Sequence, residues 1–430
     1  MTGAPEVWAG PECSFLQVGS WACDQLALTG HDKRPEDIDL LAQLGVRAVR
    51  YPVLWGRSRR TGEPTDWDWA ERRLERLHQL GIRPIVGLLH HGFGPEGSDP
   101  LDPAWPAAFG AYAAEVARRF PSVREFLPIN EPVTTARFGG LYGWWPPYGR
   151  DAVTFGRLVL AQAEAYRAAA QSIRSIRPDA RLFLNEDLGQ AAGSPGCVPR
   201  ARHQTERRWL AFDLVTGRVD QSHPWWSLAA ESRRARRLLD ALRREPEPPD
   251  VLGVDYYVTS DRYLDERLER FPAQYHGADD EGPYVDVEAA RVVGVEISGF
   301  ERCVRETWAR YRRPVALTEV HLAGEAEDQV AWWLEAVESA RRTALDGIPV
   351  LGVTAWSTFG ALDWNSILRN PCGSYAAGCF DARGLGAPRP TSLGGAVRAT
   401  ALGQPVPVRR GWWRRPERTL YDPSAPLAVA

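Results

Sequence analysis

Lysine, methionine and cysteine are scarce in this chain of 430 residues. Lys33 is the only lysine and Met1 the only methionine, so arginine supplies nearly all of the basic charge. The six cysteines are spread thinly and contain no C-x-x-C pair, so zinc-type spacing is absent and free thiols are expected. No apolar run reaches the roughly 18 residues that a membrane-spanning helix needs.

Net charge is also small. The 52 basic residues stand against 55 acidic ones, which leaves −3. A chain with so little net charge lacks the electrostatic field that attracts nucleic acid or an acidic membrane. Its first ten residues, MTGAPEVWAG, show no basic segment followed by an apolar run. We therefore expect a cytoplasmic protein without a nucleic-acid or membrane partner, and the sequence leaves its oligomeric state open.

Short apolar runs alternate with amphipathic stretches along most of the chain. The runs that predict buried strands lie at 46–51, 82–89, 123–130, 180–185, 250–257, 314–319 and 348–356, with a weaker candidate at 13–18. The stretches that predict helices lie at 35–44, 69–80, 103–119, 152–177, 206–216, 286–311, 326–345 and 391–402. Residues 258–285 are expected to form a long loop. Alternation of strand and helix favours a parallel sheet, and eight repeats predict a single (β/α)₈ TIM barrel.

The predicted barrel occupies residues 1–402, and residues 403–430 form a tail. Trp412 and Trp413 lie side by side in this tail, where water would solvate them poorly. We therefore expect the tail to pack back on the barrel.

Polar and aromatic residues follow the predicted strands. In a (β/α)₈ barrel the carboxyl ends of the strands build the active site. The residues found there are Arg50, His90, His91, Asn130, Glu131, Glu186, Asp187, Asp255, Tyr257, Glu319, His321, Trp356, Asp363 and Trp364. Clustered carboxylates repel one another and raise one another's pKa, so a purely structural barrel has no reason to gather them.

Glu131 and Glu319 end strands four and seven, which are nearly opposite in such a barrel. Two such acids can cleave a glycosidic bond, because one protonates the leaving oxygen and the other attacks the anomeric carbon. A separation of about 5–5.5 Å gives retention, whereas roughly 6.5–9.5 Å admits a water molecule and gives inversion. The sequence leaves this distance open.

Five motifs in chain order resemble those of glycoside hydrolase family 1, the β-glucosidase-like members of clan A. Segment 123–132 (VREFLPINEP) is similar to the acid/base motif, and 314–319 (PVALTE) to the nucleophile motif. Segment 356–364 (WSTFGALDW) matches the strand-eight pattern in spacing, and 81–90 and 255–257 resemble two sugar-site strands. The resemblance runs from about residue 8 to about residue 394.

This resemblance implies a retaining glycosidase that acts on a small-molecule glycoside in carbohydrate metabolism without a cofactor or metal. Glu319 would be the nucleophile and Glu131 the general acid/base. The implied substrate contacts are Gln17, His90, Asn130, Tyr257, Trp356, Asp363 and Trp364, with Glu12 as the alternative to Gln17. Further possible site residues are Arg50, His91, Glu186, Asp187, Asp255 and His321.

The chain also departs from the family pattern. His321 stands where the family continues its nucleophile as E-N-G, Asp363 is shorter than the usual glutamate, and Asp255 replaces an amide. Relatives that hydrolyse 6-phosphoglycosides usually replace the tryptophan equivalent to Trp364 and add a lysine, so a neutral, β-linked glycoside is expected here. A transglycosylase using the same acid pair and a non-catalytic carbohydrate-binding barrel are the alternatives, although binding alone would not need both acids.

Overall fold

Eight parallel strands close into a barrel in the computed structural model, which describes residues 3–59, 62–279, 281–384, 386–407 and 410–423. Strands one to eight are Glu6–Ala9, Ala48–Pro52, Arg83–His90, Glu125–Asn130, Arg181–Asp187, Val251–Asp255, Val315–Val320 and Val350–Ala355. Each pairs in parallel with its neighbours in the chain, and strand one closes the barrel by pairing with strands two and eight. The predicted (β/α)₈ fold class is confirmed.

Strand one lies earlier than predicted. Phe15–Val18, within the candidate 13–18, instead pairs antiparallel with Trp21–Asp24 as a hairpin outside the barrel. In that hairpin Gln17 is exposed while its two neighbours are buried, the alternation of a strand with one solvated face. Val7–Ala9, by contrast, is buried throughout, as a barrel strand requires.

The helices are Gln25–Leu28, Asp37–Gln43, Trp55–Ser58, Asp68–Gln79, Trp105–Arg119, Pro132–Ala136, Ala152–Ile176, Val198–Arg207, Leu210–Val215, Trp226–Ala229, Arg233–Arg244, Gly299–Tyr311, Ala326–Leu345 and Ser392–Ala401. Most predicted helices are confirmed to within a few residues. The stretch 206–216 is divided between two helices, and the arginine-rich helix at 233–244 was not predicted.

Three strands of a four-stranded sheet occupy the predicted loop 258–285 and the start of the helix predicted over 286–311. Its strands are Ala191–Gly193, Arg262–Asp265, His276–Asp279 and Gly282–Glu288. Both predictions are therefore wrong there. Val285 and Val287 are fully buried and alternate with acidic residues, a period of two that favours a strand over a helix.

One side chain from each strand fills the amino-terminal part of the barrel. These eight residues, called the floor below, are Trp8, Ala48, Ile85, Leu127, Phe183, Val251, Ala316 and Leu351. The rings of Trp8 and Phe183 meet edge to face with centroids 6.2 Å apart. Interior side chains stacked in layers make such a barrel a packed core rather than a pore.

The next layer toward the carboxyl ends is polar. Side chains along a strand return to the same face every second residue, so Arg50, Asn185 and Thr318 follow floor residues on strands two, five and seven. Gly253 occupies the same level on strand six. A Cβ atom there would come within 2.5 Å of both Asn185 Cβ and Thr318 Oγ1, so only glycine leaves room for these polar neighbours.

Described residues of the tail pack on the outer helices. Trp413 is 2% exposed, its ring meets that of Trp332 at 4.8 Å, and its Nε1 donates to Glu335 Oε2 at 2.9 Å. The backbone N–H of Trp412 donates to Asp328 Oδ1 at 2.9 Å. The division of the chain into a barrel at 1–402 and a tail at 403–430 that packs on it stays a prediction. No helix in the described part of the chain has the length and apolar character needed to cross a membrane.

Replacement of Trp413 tests the contribution of the tail to stability. Trp413→Ala leaves a cavity against Trp332, and we expect a loss of about 3–5 kcal/mol in the free energy of unfolding, measured by urea titration. Leu420→Ala is the control, because Leu420 is 62% exposed and its truncation should change stability by less than about 0.5 kcal/mol. Equally small losses in both variants would show that the tail does not stabilise the barrel.

Candidate active site

Three buried carboxylates meet at the carboxyl end of the barrel. One oxygen from each of Glu131, Asp255 and Glu319 lies within 4.8 Å of the others. Glu131 directly follows strand four, Asp255 ends strand six, and Glu319 lies in strand seven. We call these residues the carboxylate cluster. An oxygen-to-oxygen approach of at most 4.8 Å is compatible with the roughly 5–5.5 Å between the carboxyl groups of a retaining pair.

Arg50 supplies the positive charge of the carboxylate cluster. Its Nη1 donates to Glu319 Oε1 at 2.9 Å and to the Thr318 carbonyl at 2.8 Å. Its Nη2 donates to Asn130 Oδ1 at 2.7 Å, and its guanidinium carbon lies 4.3 Å from the centre of the Trp356 ring. Arg50 is only 5% exposed, so the charges that meet here are desolvated and depend on this pairing.

Glu319 and Glu131 have different surroundings. Each oxygen of Glu319 accepts a hydrogen bond, one from Arg50 and one from the Tyr257 hydroxyl. Such donors favour the ionised form. Glu131 Oε1 is buried without a hydrogen-bond partner in the described residues, and its Oε2 lies 3.8 Å from His91 Nε2.

The pKa values follow from these surroundings. Burial raises the pKa of Glu131 well above its ordinary value, and the charges of Asp255 and Glu319 add to this effect. Burial and Asp255 also raise the pKa of Glu319, whereas Arg50 and Tyr257 oppose the rise. Burial raises the pKa of Asp255 to about 6. Of the two glutamates, Glu131 is therefore the one whose surroundings favour the protonated form, because neither a cation nor a hydroxyl group donates to it, whereas Arg50 and Tyr257 donate to Glu319.

Two neutral histidines flank the cluster. His90 stacks on Trp356 with ring centroids 5.4 Å apart, and its Nε2 lies 3.3 Å from Asn130 Nδ2. His91 Nδ1 lies 3.1 Å from Thr135 Oγ1. Burial depresses the pKa of His90 well below its ordinary value and that of His91 to about 3. Both rings are thus uncharged at neutral pH and suited to hydrogen bonding with hydroxyl groups.

His321 lies two residues beyond Glu319. Neither of its ring nitrogens has a hydrogen-bond partner in the part of the chain that the structure describes, and burial lowers its pKa to about 4. A buried imidazole with both nitrogens unpaired is costly, so this ring needs a partner other than the described side chains. A role for His321 in the site stays a prediction.

Gln17 does not join the other predicted site residues. It lies on the outer hairpin, is exposed, and its Nε2 donates to the Gly19 carbonyl at 2.9 Å. The expected register placed it at the end of strand one, and the position of that strand was wrong. Glu12, the alternative to Gln17, is buried and accepts from Trp356 Nε1 at 3.0 Å.

The strand-eight residues take different positions. Trp356 is 1% exposed and packs against His90 and Arg50, so stacking on a sugar stays a prediction. Asp363 Oδ1 accepts from the N–H groups of Cys372 and Ser374 at 3.2 and 2.9 Å, so this carboxylate holds a loop. The Trp364 ring approaches His91 at 5.5 Å and therefore borders the cluster.

The strand-five acids contact the segment that follows Glu131. Glu186 Oε1 accepts from the backbone N–H of Val133 at 2.5 Å, and Asp187 lies 3.9 Å from the Arg137 guanidinium. An acid at the amino end of a short helix is favourably placed, and here it fixes the chain just beyond Glu131. Both acids thus lie beside the cluster rather than in it.

Two buried polar residues that hold neighbours of the predicted site residues were missed in the sequence. Gln25 is fully buried and holds the backbone of Leu362, donating to its carbonyl at 2.8 Å and accepting from its N–H at 3.0 Å. Thr318 donates from Oγ1 to Asp255 Oδ1 at 2.6 Å. Thr318 could have been found, because it is two residues after Ala316 on an inward-facing strand. Gln25 lies in a short helix with no such periodicity.

Backbone strain is concentrated around the site. Glu131, His91 and Asp363 have φ values of 42°, 63° and 59°, in the left-handed region that side chains other than glycine rarely adopt. Such conformations cost of the order of 1–3 kcal/mol each and cluster at functional sites. For Glu131 the strained turn separates strand four from the helix at Pro132–Ala136 and aims the carboxyl group into the barrel mouth.

Of the described residues, the carboxylate cluster is the group of side chains close enough to hold a metal ion. Arg50 already provides a cation there, bonded to Glu319. The arrangement suits acid/base and nucleophilic chemistry on a substrate, for which one carboxyl is protonated and its partner ionised.

A (β/α)₈ barrel with two close carboxylates at its carboxyl rim is the arrangement of a glycosidase. The family model "Glycosyl hydrolase family 1" matches residues 16–375, and the chain belongs to this family of retaining, β-glucosidase-like glycosidases.

Individual relatives are distant. A 6-phospho-beta-glucosidase of Dickeya chrysanthemi is 23% identical over 377 residues, which cover 79% of this chain and 78% of that protein. A phospho-cellobiase of Klebsiella oxytoca is 22% identical, covering 79% and 77% of the two chains. The beta-glucosidase from Thermotoga maritima in complex with glucoimidazole is 17% identical with a TM-score of 0.73, covering 94% of this chain and 98% of that one. The last likeness shows the shared fold.

Removal of the Arg50 charge tests its control of Glu319. Because Arg50 lowers the pKa of Glu319, Arg50→Met should raise that pKa, and the acidic limb of the kcat/KM profile should move to higher pH by about 1 unit or more. The measurement is hydrolysis of an aryl β-glycoside as a function of pH.

Arg50→Lys is the matched control, since it keeps the charge but loses the second donor to Asn130. Its acidic limb should move less than that of Arg50→Met. An unchanged limb in Arg50→Met would contradict an ionic role for Arg50.

Proposed function

We propose that this protein hydrolyses a neutral β-glycoside with retention of configuration, with Glu319 as nucleophile and Glu131 as general acid/base. The observation that carries the proposal is the close but unequal pair of acids. Their oxygens lie within 4.8 Å, yet Glu319 accepts from Arg50 and Tyr257 while Glu131 has no such donors. One acid is therefore suited to attack and the other to give a proton.

The reaction proceeds in two displacements. Glu319 attacks C1 while Glu131 transfers its proton to the glycosidic oxygen, so the C1–O bond breaks and a glycosyl ester forms. Water then attacks C1, its proton passes to Glu131, and the ester bond to Glu319 breaks. Asn130 and His90 border the two acids and are the proposed contacts of the sugar hydroxyls. A barrel that only binds sugars would bury these carboxylates at a cost without using them.

Charge supports a neutral substrate. A phosphate group carries between one and two negative charges at neutral pH and needs cations around it. The side chains that meet at this site are mostly carboxylates, and Arg50 is already engaged by Glu319 and Asn130. Lys33, the only lysine, is exposed in a short turn at His31–Lys33, and Trp364 occupies the rim beside His91. Two of the relatives above are named for phosphorylated substrates, but they are only 23% and 22% identical to this chain.

Substitution of each acid should give different kinetics. Glu319→Ala removes the attacking atom, so kcat should fall by several orders of magnitude on every substrate, and azide should restore part of the activity. Glu131→Ala should lose about 10²–10⁴-fold on alkyl glycosides, whose leaving group needs a proton. On activated aryl glycosides its first step should survive and glycosyl-enzyme should accumulate as a burst.

Glu164→Gln is the control for these variants, because Glu164 lies on the outer helix Ala152–Ile176 and pairs with Arg234. It should retain full activity. Equal losses for Glu131→Ala on both substrates, without a burst, would remove Glu131 from the acid/base role.

The stereochemistry of the product is tested separately. The anomer first formed, followed by proton NMR, should have the β configuration, and an α product would refute retention.

The choice between neutral and phosphorylated sugars has its own test. An aryl β-glucoside should be hydrolysed with a higher kcat/KM than its 6-phosphate, because the two cations of the site described above already face acids: Arg50 pairs with Glu319, and Arg137 lies 3.9 Å from Asp187. The two substrates are compared at the same pH and ionic strength. Faster turnover of the 6-phosphate would contradict the assignment of a neutral substrate.

A further inference from the structure

Asp255 is the member of the carboxylate cluster that the two-acid mechanism does not use. It is fully buried at the end of strand six. Its Oδ1 accepts from Thr318 Oγ1 at 2.6 Å, and its Oδ2 accepts from Asn185 Nδ2. Both oxygens therefore act as acceptors toward neutral donors, which is how an ionised carboxylate is held.

Asp255 lies close to both other acids. One oxygen of each lies within 4.8 Å of the others, so protonation of one acid could bring it within reach of a hydrogen bond to its neighbour. Two buried carboxyl groups at this distance cannot both ionise cheaply, so a proton between them lowers the energy of the pair. Glu319 does not carry this proton, because Arg50 donates to one oxygen of Glu319 and Tyr257 to the other.

We propose that Asp255 is a positioning residue that accepts a hydrogen bond from the protonated Glu131 carboxyl and so keeps the acid proton in place between turnovers. This inference rests on the proposed function of Glu131. The donors Thr318 and Asn185 hold Asp255 ionised, and its negative charge favours the protonated form of Glu131.

Among the other charged and titratable groups around this pair, the arginines Arg50 and Arg137 oppose the acids, and the rest add negative charge or are neutral. From strand five, Glu186 and Asp187 add negative charge, and Asp187 faces Arg137 at 3.9 Å. From strand seven comes Glu319, compensated by Arg50 of strand two. Buried His90 and His91 after strand three are uncharged, as is Tyr257 after strand six, because burial raises its hydroxyl pKa.

The role of Asp255 extends through the catalytic cycle. In the first step the O–H bond of Glu131 breaks, its proton joins the glycosidic oxygen, and the hydrogen bond to Asp255 is lost. Glu319 loses its charge on forming the ester, but Asp255 keeps its own. Water then loses its proton to Glu131, and the hydrogen bond to Asp255 forms again. Asp255 thus raises the proton affinity of Glu131 in both steps, whereas Glu319 does so only in the first.

Asp255→Asn tests the proposal with little change of shape. Loss of the negative charge lowers the pKa of Glu131, so the alkaline limb of kcat/KM for an alkyl β-glycoside should move to lower pH by about 1 unit or more. At a fixed pH above that limb, such a movement lowers kcat/KM about tenfold or more. An activated aryl glycoside, whose departure needs little protonation, should show a much smaller movement.

Thr318→Val is the matched variant, because it removes one donor from Asp255 but keeps the carboxylate. Its alkaline limb should move less than that of Asp255→Asn. Equal movement in both variants would trace the change to lost packing and overturn the proposal. A higher KM for Asp255→Asn without movement of the alkaline limb would make Asp255 a sugar contact instead, and would also overturn the proposal.

A measurement on the unaltered protein covers the case in which Asp255→Asn fails to fold. Difference infrared spectra of wild type and Glu131→Gln at neutral pH should show a protonated, hydrogen-bonded carboxyl band that the variant lacks. A band of a free carboxyl, or none, would refute the shared proton. If Glu131→Ala distinguishes leaving groups as expected but the alkaline limb of the kcat/KM profile does not move in Asp255→Asn, only this inference fails. If Glu131→Ala does not distinguish them, the proposed function fails with it.

Discussion

The buried ion pair between Arg50 and Glu319 is the interaction on which the site depends. Three carboxylates come together there. Arg50 donates directly to Glu319, and it also donates to Asn130, which precedes Glu131 in the chain. Without that cation, burial and mutual repulsion would favour protonation of all three acids. With it, one acid is ionised beside a neighbour that keeps its proton. The same guanidinium also contacts the Trp356 ring, so one side chain positions both an acid of the cluster and this tryptophan.

The alternation of side chains along a strand places the Arg50 guanidinium at the level of the carboxylate cluster. Floor residues face inward near the amino ends, and the side chain two residues further on faces inward again, which puts Arg50 directly above Ala48. Asn185 and Thr318 occupy the same level. The missing side chain of Gly253 makes space between them, and Asp255 ends the same strand one step higher. An apolar layer, a polar layer and an acidic layer thus follow from alternation along short strands.

Much of this could be predicted from the sequence, because apolar strands ending in polar residues mark the rim of a parallel barrel. The fold class and the positions of Glu131 and Glu319 on strands four and seven followed from that pattern. Strand one was misplaced because Glu6–Ala9 is only four residues long and lacks a β-branched run, and Gln17 was misassigned with it. The closeness of Asp255 to Glu131 could not be predicted. It depends on irregular pairing after Phe126 in strand four and on the left-handed backbone of Glu131. Such irregularities re-aim side chains and leave no clear trace in hydrophobic periodicity.

The floor of the barrel has a consequence for the order in which molecules leave. Because eight side chains close the amino end, a substrate can approach the carboxylate cluster only from its entrance at the carboxyl rim. Under the proposed reaction, the aglycone lies nearer this entrance than the sugar whose C1 is bonded to Glu319. The aglycone must therefore depart before water can enter by the same route. The released sugar leaves last and occupies the position that the next substrate needs, so free sugar should act as a competitive inhibitor, and a high concentration of an alcohol at the entrance should compete with water for the ester.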